Sequence, residues 1–228
     1  MPKSNQICLK SWKTFLPDYT IKEWNEDNFD INANRYTKEA YEAKKFAFVS
    51  DYARFYILYK YGGIYMDTDV EVIMPLDDLL NNKMFAGFEG NEGVNPGLIF
   101  ASIKGSELVR EILESYGNRQ FKKEDGSIDT TTVVEYTTGI LKKHGMIING
   151  ECQKVGEITI YSSEYFCPLD HKTRKMQMTK NTYTIHHYSA SWNSRSQKIK
   201  SKIVELFGEK TLIRLSEIKK MLKGGNHV

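Results

Sequence analysis

Apolar residues recur at three- and four-residue intervals through Phe48, Tyr52, Phe55, Tyr56 and Tyr59, which predicts a buried stripe on a helix running from about Lys38 to Tyr61. Ser50, Asp51 and Arg54 sit off that stripe, and Asp51 and Arg54, three apart, share a face. Gly62-Gly63 ends the helix, glycine being the residue that tolerates a left-handed cap. Period-two alternation predicts strands at Tyr19–Trp24, Ile64–Met66 and Val70–Met74, the last stopped by Pro75. Further apolar runs predict strands at Met84–Phe88, Gly97–Ser102, Ile158–Tyr161 and within Thr182–Tyr188. Helices are expected at Ile7–Phe15, Leu76–Asn82, Ser106–Tyr116 and Thr130–His144, the last weak on propensity because of its threonines. Two amphipathic helices split near Gly208 close the chain. Short strands alternating with helices predict an α/β sandwich.

Asp67 and Asp69 stand one residue apart at the polar end of an apolar strand. Like charges that close disfavour joint ionisation unless something positive lies between them. A hard divalent cation with oxygen ligands, bridging to a phosphate-bearing substrate, fits that need, and the pair reads as a nucleotide-sugar site. An EF-hand reading fails because Val72 occupies the position where the calcium loop needs glycine. A phosphatase-type nucleophilic aspartate remains a rival, although the run before Asp67 is short for a central strand. Two solvated turn aspartates are the plain alternative.

Composition changes the picture little: 228 residues, 40% hydrophobic and 27% charged, suit one globular domain. Charge is uneven. The formal balance is +3, but residues 194–228 hold nine Lys/Arg and three Glu. Such a basic segment suits an anionic surface or a phosphorylated substrate, and equally a solvated helix face. Cys8, Cys152 and Cys167 are odd in number and lack metal spacing, so a reducing compartment is expected. The opening MPKSNQICLK lacks the apolar stretch of an export signal, and no apolar run of about 18 residues occurs.

From Ser50 to Asp69, twenty residues carry S-D-x-x-R followed by G-G-x-Y-x-D-x-D. This segment resembles glycosyltransferase family 32, whose members carry a DxD sugar-binding region. That family includes bacterial capsular and surface-polysaccharide transferases and fungal enzymes of mannan outer chains; the glucosyltransferase domains of clostridial toxins are more distantly similar. SWKTFLPDYTIKEWNEDNFD and YTIHHYSASW extend the resemblance to bacterial members over nearly the whole chain.

The resemblance implies a GT-A type fold, a Rossmann-like mixed sheet flanked by helices, in a domain spanning 1–193, with basic amphipathic helices at 194–228 packed on it. It implies a retaining transferase that needs no protein nucleophile and moves a sugar from a UDP- or GDP-sugar to a saccharide acceptor. Asp67 and Asp69 would be the catalytic pair. Ser50, Asp51, Arg54, Tyr65, Asp67, Asn95, Ser191 and Trp192 would bind the donor. Asp67, Asp69 and His187 would hold Mn²⁺ or Mg²⁺. Adjacent strand histidines face opposite ways, so only one of His186 and His187 should enter the site, and the resemblance selects His187. A lipid-linked acceptor, peripheral membrane contact through the basic helices, a place at the cytoplasmic face of the membrane and no role for nucleic acid complete the expectation. Family members open with a strand that this sequence lacks, so the first strand is expected to be missing, and a nucleotide-sugar binding module without turnover is the rival reading.

Overall fold

The computed structural model describes residues 3–189. They fall in the first of two compact units, 1–189 and 190–228, so the expected 193/194 boundary, the basic helices, Ser191 and Trp192 lie outside the described residues. Fourteen named elements follow one another: α1 (Lys3–Phe15), α2 (Arg35–Glu42), α3 (Phe46–Tyr61), β1 (Gly63–Tyr65), β2 (Val70–Val72), β3 (Met84–Glu89), β4 (Gly93–Val94), β5 (Phe100–Ser102), α4 (Glu107–Gly117), α5 (Val133–Lys143), β6 (Gln153–Val155), β7 (Ile158–Tyr161), α6 (Ser163–Phe166) and β8 (Thr184–His186). A 3-10 turn covers Asp77–Asn81.

Six strands form a mixed sheet in the order β1-β5-β3-β7-β6, with β4 paired to β3; only β3 and β7 run parallel. A separate antiparallel pair joins β2 to β8, with Val70 opposite His186 and Val72 opposite Thr184. The expected class, α/β with a mixed sheet flanked by helices, is what the chain adopts.

Strand alternation sorts β3 between two cores. Met84, Ala86 and Phe88 join α3, α4 and α5, while Phe85 joins a second cluster with Trp12, Val72, Leu76, Leu98 and Phe166. Fully burying a ring such as Phe55 or Phe85 is worth roughly 2–3 kcal/mol, so the sheet is clamped from both sides.

Three expectations give way. The helix from Lys38 is two helices, because the chain turns at Lys44 into a positive φ of 57° before α3 begins. Residues 20–24 are not a strand: they have no ladder partner, and alternation without pairing does not make a sheet. β6 and α6 form where no element was expected. Among the described residues no strand precedes α3, and β1 forms one edge of its sheet.

The weak threonine-rich helix is secured at its start. Thr132 and Glu135 form a reciprocal capping box at the head of α5. Farther along, Thr138 accepts the Val94 N–H at 2.9 Å, tying α5 to the hairpin at the end of β3.

Candidate active site

Helix α3 delivers the first part of the site. Asp51 and Arg54 occur one turn apart and pair at 3.1 Å, and Arg54 Nη2 also lies 3.5 Å from Asp67 Oδ1 and from Ser50 Oγ at 3.4 Å. Gly62 stops the helix with φ +70°, and its N–H donates to Leu58. The strand that follows is short, so Tyr65 and Asp67 fall back against the helix. Tyr65 donates its hydroxyl to Asp67 Oδ1 at 2.9 Å, while its ring lies 5.0 Å from the Arg54 guanidinium.

Arg54 is 2% exposed. Burial opposes its charge, but Tyr65, Asp67 and Asp51 surround it and keep it fully protonated. Burial dominates at Asp51 and raises its carboxyl to about 6, with Asp67 pushing the same way and Arg54 and Arg119 holding it back. One buried cation thus serves two carboxylates.

Asp67 is fixed from the other side by backbone. Its N–H donates to Gly97 at 2.9 Å, and a Cβ on Gly97 would collide with Asp67 Oδ2. Asn95 holds this turn, accepting the Gly97 N–H at 2.8 Å and donating to Glu89 at 3.0 Å. Glu89, at the end of β3, places a further buried carboxylate beside Asn95.

Asp69 lies in the turn before β2 and is 2% exposed. The N–H and hydroxyl of Ser189 donate to its Oδ2 at 2.8 and 3.0 Å, and His186 Nε2 lies 3.2 Å from Oδ1. Burial alone would raise this carboxyl; His186 and the two Ser189 bonds outweigh it and hold Asp69 down at about 2. His186 is buried as well. Burial disfavours its charge, yet facing Asp69 raises its pKa above the usual histidine value. Neither ring nitrogen of His186 makes a well-formed hydrogen bond.

The structure brings His186, and not the expected His187, to the aspartates. His187 points away and pairs with Glu71 at 2.8 Å, while His186 joins the aspartates. Only one histidine enters, as alternation requires, but alternation does not say which one. The β2–β8 register puts His187 on the face of Glu71; Asp69 is still in its turn, off the strand's alternation, and its carboxylate crosses to the His186 side. Ligand atoms of Asp67, Asp69 and His186 all lie within 4.8 Å of one another. Two carboxylates and an otherwise unsatisfied imidazole suit a divalent cation.

Of the expected donor residues, Ser50, Asp51, Arg54, Tyr65, Asp67 and Asn95 converge here, and Ser191 and Trp192 lie outside the described residues. Sequence reasoning assigned no role to Ser189 or Glu89. It also missed Tyr188, whose hydroxyl pKa is driven up by burial, Cys167 and Glu89, and whose ring lies 4.2 Å from His186. The only advance signal for these was proximity to the histidine pair.

Helix α1 supports this arrangement from below. Trp12 Nε1 donates to the Val70 carbonyl at 2.7 Å and Ser11 Oγ accepts the Val72 N–H at 2.9 Å, so side chains satisfy the outer edge of β2.

Comparison with known proteins finds two curated relatives. Inositol phosphoceramide mannosyltransferase 1 of Schizosaccharomyces pombe is 35% identical over 75 residues, covering 32% of this chain and 22% of the relative. Inositol phosphoceramide mannosyltransferase 3 of the same yeast is 25% identical over 127 residues, covering 50% of this chain and 34% of the relative. The chain thus spans about a fifth to a third of the length of these curated relatives. No solved structure matches it. Residues 2–86, which include Asp51, Arg54, Asp67 and Asp69, match the family model of the glycosyltransferase sugar-binding region containing the DXD motif.

Proposed function

We propose that the protein is a metal-dependent glycosyltransferase of GT-A type that moves a sugar from a nucleoside-diphosphate donor to a saccharide acceptor with retention of configuration. The observation that carries this reading is the trio Asp67, Asp69 and His186, the last two buried and Asp67 partly open, beside the buried Arg54. Such a set suits a cation and the diphosphate of one donor molecule.

A bound divalent cation would supply Lewis-acid neutralisation of the charge that gathers on the leaving diphosphate. The chain's own residues do the rest. Ser189 and His186 keep Asp69 ionised and fixed, so the ligand needs no rearrangement before binding. Arg54 holds Asp67 in place through Nη2, and its buried Nε has no hydrogen-bond partner. Asp51, adjoining it, offers a carboxyl that can accept from donor-sugar hydroxyls. Asn95 sets the backbone turn that presses on Asp67 and aligns Glu89 beside it. The nucleobase (uracil or guanine), a lipid-linked acceptor in surface polysaccharide assembly and a place at the inner membrane face belong to the same proposal. A mannosyl donor is consistent with the relatives' names.

Donor hydrolysis tests the reading. With Mn²⁺ and a panel of UDP- and GDP-sugars, free monosaccharide should be released, and Asp69→Asn should abolish the release. Tight donor binding with no turnover would instead favour a binding module. Phosphate released from a phosphomonoester would favour the phosphatase rival.

A further inference from the structure

Residues 170–180, DHKTRKMQMTK, form the longest fully exposed run among the described residues, eleven in a row. They also leave two methionines open to solvent, Met176 at 44% and Met178 at 54%. Exposed large apolar side chains cost nothing singly, but a pair within a cluster of like charges calls for an explanation. The run contains Lys172, Arg174, Lys175 and Lys180 against Asp170 alone. Lys172 pairs with Glu92. Among the described residues no carboxylate lies within ion-pairing distance of Arg174, Lys175 or Lys180.

The segment is built as a protrusion with a fixed base. Leu169 bridges Met176, Asp170 exchanges backbone bonds with Lys175 and Arg174, and the Gln177 N–H donates to Pro168 at 2.9 Å. The Asp170 carboxylate is consumed at the tip, accepting from the N–H groups of Lys172 and Thr173 and from the Thr173 hydroxyl. Its one negative charge is held by donors of its own loop, and the other charges of the segment are basic.

Its position is at the rim of the cleft. The His171 ring lies 5.6 Å from that of Tyr188, which in turn packs on His186, and Lys172 reaches Glu92 in the turn after Glu89. The loop after α5 meets the same turn: it exposes Ile147 and Ile148, and a Cβ on its Gly150 would collide with Asn91. The segment that bears Met176 and Met178 and the loop that bears Ile147 and Ile148 thus both touch this turn, through Lys172 and Gly150.

We infer that the 170–180 protrusion is a docking surface for an anionic lipid bilayer, setting the cleft against the membrane that presents the acceptor. This deepens the glycosyl-transfer reading by naming the partner at the same site. Basic residues near an anionic surface gain from its potential, and methionine side chains gain from leaving water, so the two residue types act together at a headgroup layer. An acidic glycan in solution would use the lysines and give the methionines no role. That difference selects the bilayer.

Co-sedimentation of the full chain with sucrose-loaded vesicles tests this. Wild type should bind phosphatidylcholine vesicles containing about one third phosphatidylserine, weaken with salt, and ignore pure phosphatidylcholine. Lys175→Glu/Lys180→Glu should bind about tenfold or more weakly, since each basic residue contributes about fivefold, and Met176→Gln/Met178→Gln about tenfold or more weakly through lost apolar burial. Thermal midpoints equal to wild type would show that both variants fold. Binding of either double variant at wild-type strength, or no preference of wild type for anionic vesicles, overturns the inference. Loss in the lysine pair alone, with dextran sulfate competing, overturns the bilayer in favour of a soluble polyanion. Donor binding, read as a thermal shift with Mn²⁺ and no vesicles, should be the same in all three proteins. If no donor binds wild type, the glycosyl-transfer reading falls while the vesicle result stands by itself.

Discussion

Arg54 and His186 approach the same aspartate pair from opposite sides and by different means. Arg54 comes from a helix thirteen residues before Asp67, and one local segment supplies the cation, both carboxylates and the tyrosine over it. His186 comes from a strand more than a hundred residues later, and the β2–β8 ladder, Ser189 and α1 must all be in place before it meets Asp69. The electrostatics differ in kind as well. On the Arg54 side burial wins at Asp51, and its carboxyl is raised; on the His186 side hydrogen bonds win at Asp69, and its carboxyl is lowered. A local charge cluster can be buried at a cost, whereas an assembled one is already poised for a ligand.

The largest effect should come from breaking the local side. Arg54→Met leaves Asp51 and Asp67 without their buried counter-charge, and removing one partner of a buried pair typically costs about 3–5 kcal/mol. Urea denaturation should show that loss, and a change under 1 kcal/mol would mean that water already screens the cluster.

The two aspartates should also tilt the pH dependence of stability in opposite directions. Asp51 has a folded pKa above its unfolded value, so the native state gains from its proton below about pH 4 and loses that gain as pH rises through 6. Two units correspond to about 2–3 kcal/mol. Against an Asp51→Asn reference, wild type should therefore fall behind between pH 4 and 7. Asp69 has a depressed folded pKa, so its contribution is present above pH 4 and is lost as pH falls toward 2, again by about 2 kcal/mol. Denaturation in EDTA across that range, with Asp69→Asn as reference, reads the second slope. Slopes of the same sign would erase the contrast between the two sides.

Gly97→Ala sharpens the comparison at the point where the sides meet. The added methyl collides with Asp67 Oδ2, and such overpacking costs about 1–3 kcal/mol. Mn²⁺ affinity should drop with Asp67 displaced, while the Asp69–His186 contact keeps the fold. Unchanged affinity would remove Asp67 from the metal shell.

The same contrast explains what could be read from the sequence. Asp51, Arg54, Tyr65, Asp67 and the Gly62 stop lie in one contiguous helix-turn-strand, where side-chain periodicity and glycine chemistry act over a few residues. Residues 20–24 alternate like a strand and form none, because a ladder partner is not a local property. The break at Lys44 was hidden by a helical pattern on both sides of it. His186 was hidden by parity: its neighbour His187 has the same chemistry, and only the register with Val70 decides between them. Glu89, Tyr188 and Ser189 reach the cleft through strand ends whose pairing is non-local, so their residue types alone carried no signal.

The choice between the two histidines is also the most direct test of the site. Mn²⁺ titration by electron paramagnetic resonance should be run on wild type, His186→Gln and His187→Gln, each with and without a nucleoside diphosphate. His186→Gln should lose at least about tenfold in Mn²⁺ affinity, the loss that even an outer partner of a metal ligand causes. His187→Gln gives up only a half-exposed pair with Glu71 and should bind Mn²⁺ within about twofold of wild type. Full affinity in His186→Gln, or its loss in His187→Gln, would contradict the assignment of Asp67, Asp69 and His186 as the cation site.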